Sequence, residues 1–263
     1  MVLESLYNIK DVRKHPSEIF ILGVIGTILA IIISSFLNRG GLFLVFLITL
    51  AVLPLTIKQL KYEERRCEYD HFWNYLYSLG FFSRHKDLIV DYFCLILGIT
   101  LSISVSYLIL PTNVSSSIFS DQILTISSIT GHATASGIFS KILFNNIGVM
   151  VICFAFSLFY SSGAIFLISW NASVLGVVVG QGAKNLMGLP SIPLVLFSYL
   201  PHGIFEFSGY ILAGIAGGIL SIALARHKES RKHFLFVLQD SLLLLAMGIV
   251  FIFIGAIIEV MFI

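Results

Sequence analysis

His202 and Glu206 stand four residues apart in an otherwise apolar stretch, 200–225, and so share one face of a helix. An imidazole and a carboxyl so placed can pass a proton, hold a cation or contribute to a metal site. A charged side chain at the centre of a bilayer costs about 2.5–3.5 kcal/mol on insertion scales, so Glu206 requires partners. Residues of the right type are Glu259 near the carboxyl end, Lys184 with Asn185, and the adjacent pair Asn145-Asn146. Asn171 is a further polar residue in an apolar run, expected near the other membrane face together with Gln239 and Asp240. Three chemistries remain open. The groups can neutralise one another as a polar lock. They can form a site for a small solute, an ion or a proton. Or His202, Glu206 and Glu259 can act as metal ligands, although their spacing matches no recognised zinc pattern. No cofactor is implied.

Whether these residues meet depends on the elements that carry them. The chain has 263 residues, 57% of them hydrophobic and 11% charged, against roughly 25% charged in an ordinary soluble domain. That composition predicts an all-α, polytopic membrane helix bundle. Seven apolar runs are expected, at 19–37, 42–57, 88–110, 145–170, 171–189, 200–225 and 234–263. The first is long and lacks a small-residue cleavage site, so it reads as a retained span. Residues 1–110 then form an amino-terminal part of three spans, with a charged and aromatic connection whose segment 71–82 has the Trp and Tyr enrichment of a membrane interface. Residues 111–144 form a Ser/Thr-rich outer stretch with a short helix near 123–129, and 145–263 form a four-span bundle. Thirteen of the sixteen lysines and arginines lie in the amino-terminal arm, the second-to-third connection and the sixth-to-seventh connection. Seven spans with a cytoplasmic amino terminus put all thirteen on one side. In that topology Asn145, Asn146, Lys184, Asn185, His202, Glu206 and Glu259 all arrive in the outer leaflet.

Gly176 and Gly180, and Gly214 and Gly218, repeat the small-xxx-small spacing that lets helices approach closely; Gly217 adds to the second pair. The spacing predicts that the fifth and sixth spans pack tightly, within the chain or across a dimer. Cys67, Cys94 and Cys153 have no metal spacing and imply no disulfide framework. A net charge of +2 offers nothing to nucleic acid. Enzyme signatures are absent: there is no His-Glu-x-x-His, Walker loop or dinucleotide fingerprint. Glu63-Glu64 match the paired glutamates of CAAX-type intramembrane proteases only in part. That pattern needs Arg four residues after the second glutamate, where Glu68 stands, and the pair reads as part of a solvated, charged connection.

The carboxyl-terminal half carries a recognisable order of elements. Asn145-Asn146 is followed by Trp170-Asn171 and Gly176, then Pro201-His202-Gly203 with Glu206, Gly214 and Gly217, and finally Ile258-Glu259. Over roughly 143–262 this resembles the stage II sporulation protein M family. Ala172 stands where the family pattern leads one to expect Gly, and Phe207-Ser208 replaces a more apolar pair. The resemblance implies a multi-pass membrane protein related to a scaffold for a peptidoglycan-degrading complex in spore engulfment. It also implies site positions at Asn145, Asn146, Asn171, His202, Glu206 and Glu259. The expected function is a non-enzymatic scaffold or recruiting component of the cell membrane. Its expected partners are the lipid bilayer, membrane or peripheral proteins, and a second copy of the chain. The alternatives are a transporter or channel component using the outer-leaflet cluster, and a membrane metalloenzyme.

Overall fold

An apolar chain in lipid must satisfy every backbone N–H and C=O internally, and a helix does so within one segment. The computed structural model describes residues 16–66, 80–130, 138–226 and 231–262, and these form helices joined by short turns. They are α1 (Pro16–Phe36), α2 (Gly41–Arg66), α3 (Gly80–Ile109), α4 (Thr112–Ile118), α5 (Ser120–Thr130), α6 (Ile138–Tyr160), α7 (Ala164–Asn185), α8 (Ile192–Arg226) and α9 (Arg231–Phe262), with a single 3-10 turn at Leu189–Ser191 before α8. Among the described residues seven helices, α1–α3 and α6–α9, are long and apolar enough to cross a membrane. The chain is a multi-pass membrane protein. The interfacial aromatic segment 71–82 lies almost wholly outside the described residues.

The boundaries differ from the sequence expectation in instructive ways. α2 does not stop at 57; it carries Pro54 within it and continues to Arg66, because Gln59, Leu60, Glu63 and Glu64 are packed inside the bundle. The fourth and fifth spans meet at Ser161-Ser162-Gly163, not at Trp170-Asn171. Ser161 turns the chain with a positive φ of 58°, whereas Trp170 and Asn171 lie inside α7. The sixth span starts at Ile192, with Pro201 inside it. The outer stretch holds two helices, and α5 docks on the α1–α2 turn. Asp121 Oδ2 accepts the backbone N–H of Leu42 at 2.8 Å, which satisfies an otherwise orphaned donor at the start of α2.

α8 runs through the middle of the bundle. Of its spanning window 83% is buried, against 22% for α6, and it contacts α2, α3, α6, α7 and α9. Its first turns pack Ile192 and Val195 on Val179 and Ala183 of α7; the rest lies in the main core. Helices approach where a side chain is missing. A Cβ on Gly176 would stand 2.8 Å from Ile103 Cβ, and one on Gly180 would stand 2.9 Å from Tyr107 Cβ. Gly176 and Gly180 therefore face α3, whereas Gly182 of the same helix faces α8, where a Cβ would stand 2.8 Å from Val195 Cγ1. On α8, Gly214 opposes Ala164 of α7 at 2.7 Å, Gly217 opposes Ser157 of α6, and Gly218 opposes Leu60 of α2. Two crossings that sequence spacing did not single out are Gly98 on Phe20 of α1 and Gly209 against Gly248 of α9.

Seven crossings in alternation bring the ends of α2 and α8 and the starts of α3 and α9 to one side. This is called the basic face after Lys61, Arg65, Arg66, Lys86, Arg226, Arg231 and Lys232. The α1–α2 turn, α4, α5 and the α7–α8 connection lie on the opposite face.

Candidate functional site

Three spans bring their polar groups together toward the opposite face. Glu206 on α8 is 19 residues before Ala225, or about 29 Å at 1.5 Å per residue. Its Oε1 accepts a hydrogen bond from Asn146 Nδ2 of α6 at 2.6 Å. Asn146 Oδ1 in turn accepts from Tyr210 Oη at 2.9 Å and from Asn145 Nδ2 at 3.2 Å. Tyr210 is one turn beyond Glu206 on α8, so two residues on one helix face grip the two ends of one buried amide. Glu259, in the last turn of α9, faces Glu206 within side-chain hydrogen-bonding reach. An ionised carboxylate only accepts, so a hydrogen bond between the two carboxyls needs a proton on one of them. Gly255 makes the approach possible, since a Cβ there would stand 3.2 Å from Glu206 Cγ.

His202 is one turn before Glu206, half-exposed, and within electrostatic reach of Glu259. Its ring meets Tyr199 edge-on with centroids 5.9 Å apart, and its Nδ1 is buried with no hydrogen-bond partner among the described residues. Lys184 does not join. It lies exposed at the end of α7, its Nζ 5.9 Å from the ring centroid of Tyr107 on α3. Asn185 beside it is exposed as well. Asn171 bonds back to Leu167 O of its own helix at 2.8 Å. The cluster is thus built from carboxyls, amides and a phenol, without the lysine the sequence suggested. Among the described residues no three His, Cys, Asp or Glu side chains are grouped to hold a metal ion.

A second polar centre, near the basic face, escaped the sequence reading. His85 of α3 places Nδ1 3.6 Å from Glu63 Oε2 of α2 and Nε2 3.2 Å from Asp240 Oδ2 of α9. Gln59 Nε2 donates to Asp91 Oδ2 at 2.7 Å. All of these side chains, and Glu64, are buried. Glu63 and Glu64 therefore sit in the bundle, not in a solvated connection, and Asp240 pairs across three helices. The signal in the sequence was Gln59 and Glu63 on one helix face, aligned with a span that opens on His85. A cavity of about 10 Å³ lies between α1, α2 and α3, lined by Ile19, Leu22, Leu55, Gln59, Asp91 and Leu95 among others. It has room for about one water, and none of its lining residues comes from α6, α8 or α9.

Comparison with curated proteins gave no match, and comparison with solved structures gave none. Among protein-family models, the one described as Stage II sporulation protein M matches residues 19–262. The match takes in the three amino-terminal spans, where the sequence alone offered no landmark, as well as Asn145, Asn146, His202, Glu206 and Glu259. The chain belongs to the stage II sporulation protein M family.

Proposed function

We propose that this protein is a non-enzymatic scaffold of the cell membrane, a preassembled seven-span bundle that recruits other proteins at its two faces. The observation that carries this reading is the use made of the buried polar groups. Asn146, Glu206, Tyr210 and Glu259 tie α6, α8 and α9 together, and Glu63, His85 and Asp240 tie α2, α3 and α9. Groups engaged in holding helices together are poorly placed to hand a solute onward. The basic face is assigned to the cytoplasm by the distribution of lysine and arginine. There the partners are peripheral proteins; on the other side, α4 and α5 offer Asn113, Ser116, Ser117, Ser127 and Ser128 as exposed polar groups.

A transport role for the carboxyl pair is the second reading, favoured by the Nδ1 of His202, which has no hydrogen-bond partner among the described residues. One experiment separates the two. The purified chain is reconstituted in vesicles with a trapped pH dye, and proton, sodium and potassium gradients are applied. The scaffold reading expects flux equal to that of empty vesicles. Flux that is present in the wild type and lost in Glu206→Gln would overturn it in favour of transport.

A further inference from the structure

The α6–α7 turn stops short of the basic face. Gly218 of α8 marks where it stops: a Cβ there would stand 2.5 Å from Ser161 O and 2.8 Å from Leu60 Cδ1 of α2. Nearby, Ser161 Oγ and Ser221 Oγ are 3.3 Å apart. Beyond these contacts α8 runs on to Arg226 and α2 to Arg66, which adds about 8 Å and about 9 Å of helix. Among the described residues the flank of the bundle therefore has a step. Its floor is the turn after Tyr160, and its back wall is the ends of α2 and α8. On the floor are Ser161 and Ser162, and the Ser162 hydroxyl is buried with no hydrogen-bond partner among the described residues. Phe159 and Tyr160 flank it at 78% and 73% exposure, and Leu224 on the wall is 44% exposed. Lys61 is exposed on α2, and the helices end in Arg65-Arg66 and Arg226.

Hydroxyls and the exposed Lys61 beside exposed aromatic and aliphatic side chains match an amphiphile. Water would satisfy Ser161 but leave Phe159 and Leu224 wet, and a soluble anion would do the same. We propose that the step holds an anionic phospholipid, its headgroup drawn about 8 Å deeper than the surrounding leaflet. The phosphate lies against Ser161, Ser221 and Lys61, and the acyl chains lie along Phe156 and Phe159. The lipid fills the step left where the α6–α7 turn lies below the ends of α2 and α8.

The test is native mass spectrometry of the full chain in detergent, with phosphatidylglycerol or phosphatidylcholine added at equal ratio. Phosphatidylglycerol is expected to be retained preferentially. Retention should fall about fivefold for each charge removed in Lys61→Gln and in Lys61→Gln with Arg226→Gln, and stay unchanged in Lys184→Gln on the opposite face. Equal retention of the two lipids, no loss in the double variant, or displacement by inorganic phosphate would each overturn the proposal. If the double variant does not fold, a nitroxide on Ser161→Cys, with Cys67, Cys94 and Cys153 replaced by alanine, gives a second measurement in vesicles. Collision with a water-soluble nickel complex is expected; exposure to oxygen alone, as in hydrocarbon, would contradict it.

Discussion

Asn146 donates to Glu206 and accepts from Tyr210 and Asn145, so removing its amide leaves three groups short of a partner at once. Buried groups left without a partner cost about 1–3 kcal/mol each, although bonds between membrane helices average only about 0.6 kcal/mol. Asn146→Leu should therefore lower the thermal unfolding midpoint in detergent clearly more than Tyr210→Phe, which removes one bond. Lys184→Ala is expected to leave stability within about 0.5 kcal/mol of wild type, because among the described residues it makes a single exposed contact, with the Tyr107 ring. At the other centre, His85→Gln withdraws a shared partner from Glu63 and Asp240. Breaking a buried pair costs about 3–5 kcal/mol when the remaining charge is left alone. Glu63 and Asp240 keep further contacts, so the loss should be smaller, about 2 kcal/mol, read by the same unfolding measurement. Asn146 and Glu259 stood among the partners the sequence offered Glu206, because a carboxyl in an apolar run demands some, but Lys184 was offered on the same terms and Tyr210 was not singled out. The His85 centre was not. Glu63-Glu64 is followed by Arg65-Arg66, and charges at the end of a span look the same in sequence whether water or another helix surrounds them.

At the scale of helices, close approach is set by which glycine faces backbone. A Cβ on Gly98 would stand 2.6 Å from Phe20 O and 3.3 Å from Val24 N, both main-chain atoms of α1 that cannot swing aside. Gly98→Ala should therefore separate α1 from α3 and destabilise the bundle by about 1–3 kcal/mol. Gly203, beside His202, has no atom within 4 Å of its Cβ position. Gly203→Ala is expected to be neutral or mildly stabilising, by up to about 1 kcal/mol of helix propensity. If the two variants unfold alike in detergent, the contact geometry of α1 and α3 is wrong. The spacing of Gly176, Gly180, Gly214 and Gly218 marked close-packing helices, but it could not name their neighbours, because a small face fits any ridge. Hydropathy likewise counted the spans but misplaced the α6–α7 turn. The sequence is apolar on both sides of Ser161, and only a left-handed residue there reverses the chain.

For the whole molecule, seven crossings put the lysines and arginines of the α2–α3 and α8–α9 connections on one side, and α4 and α5 on the other. With Cys67, Cys94 and Cys153 replaced by alanine, Ser116→Cys should react with an impermeant maleimide from outside the cell. Lys61→Cys should react only after the membrane is opened; the reverse pattern would invert the orientation. What holds the spans in register is a polar bond across the bundle interior, made where, among the described residues, no lysine neutralises the carboxyl. The most direct measurement of that claim is a double-mutant cycle on unfolding free energy with Asn146→Ala, Glu206→Gln and the pair. The account predicts a coupling of about 1 kcal/mol, within the range for residues in contact. Effects that add to within about 0.3 kcal/mol would mean that Asn146 and Glu206 act independently, and the lock would not exist.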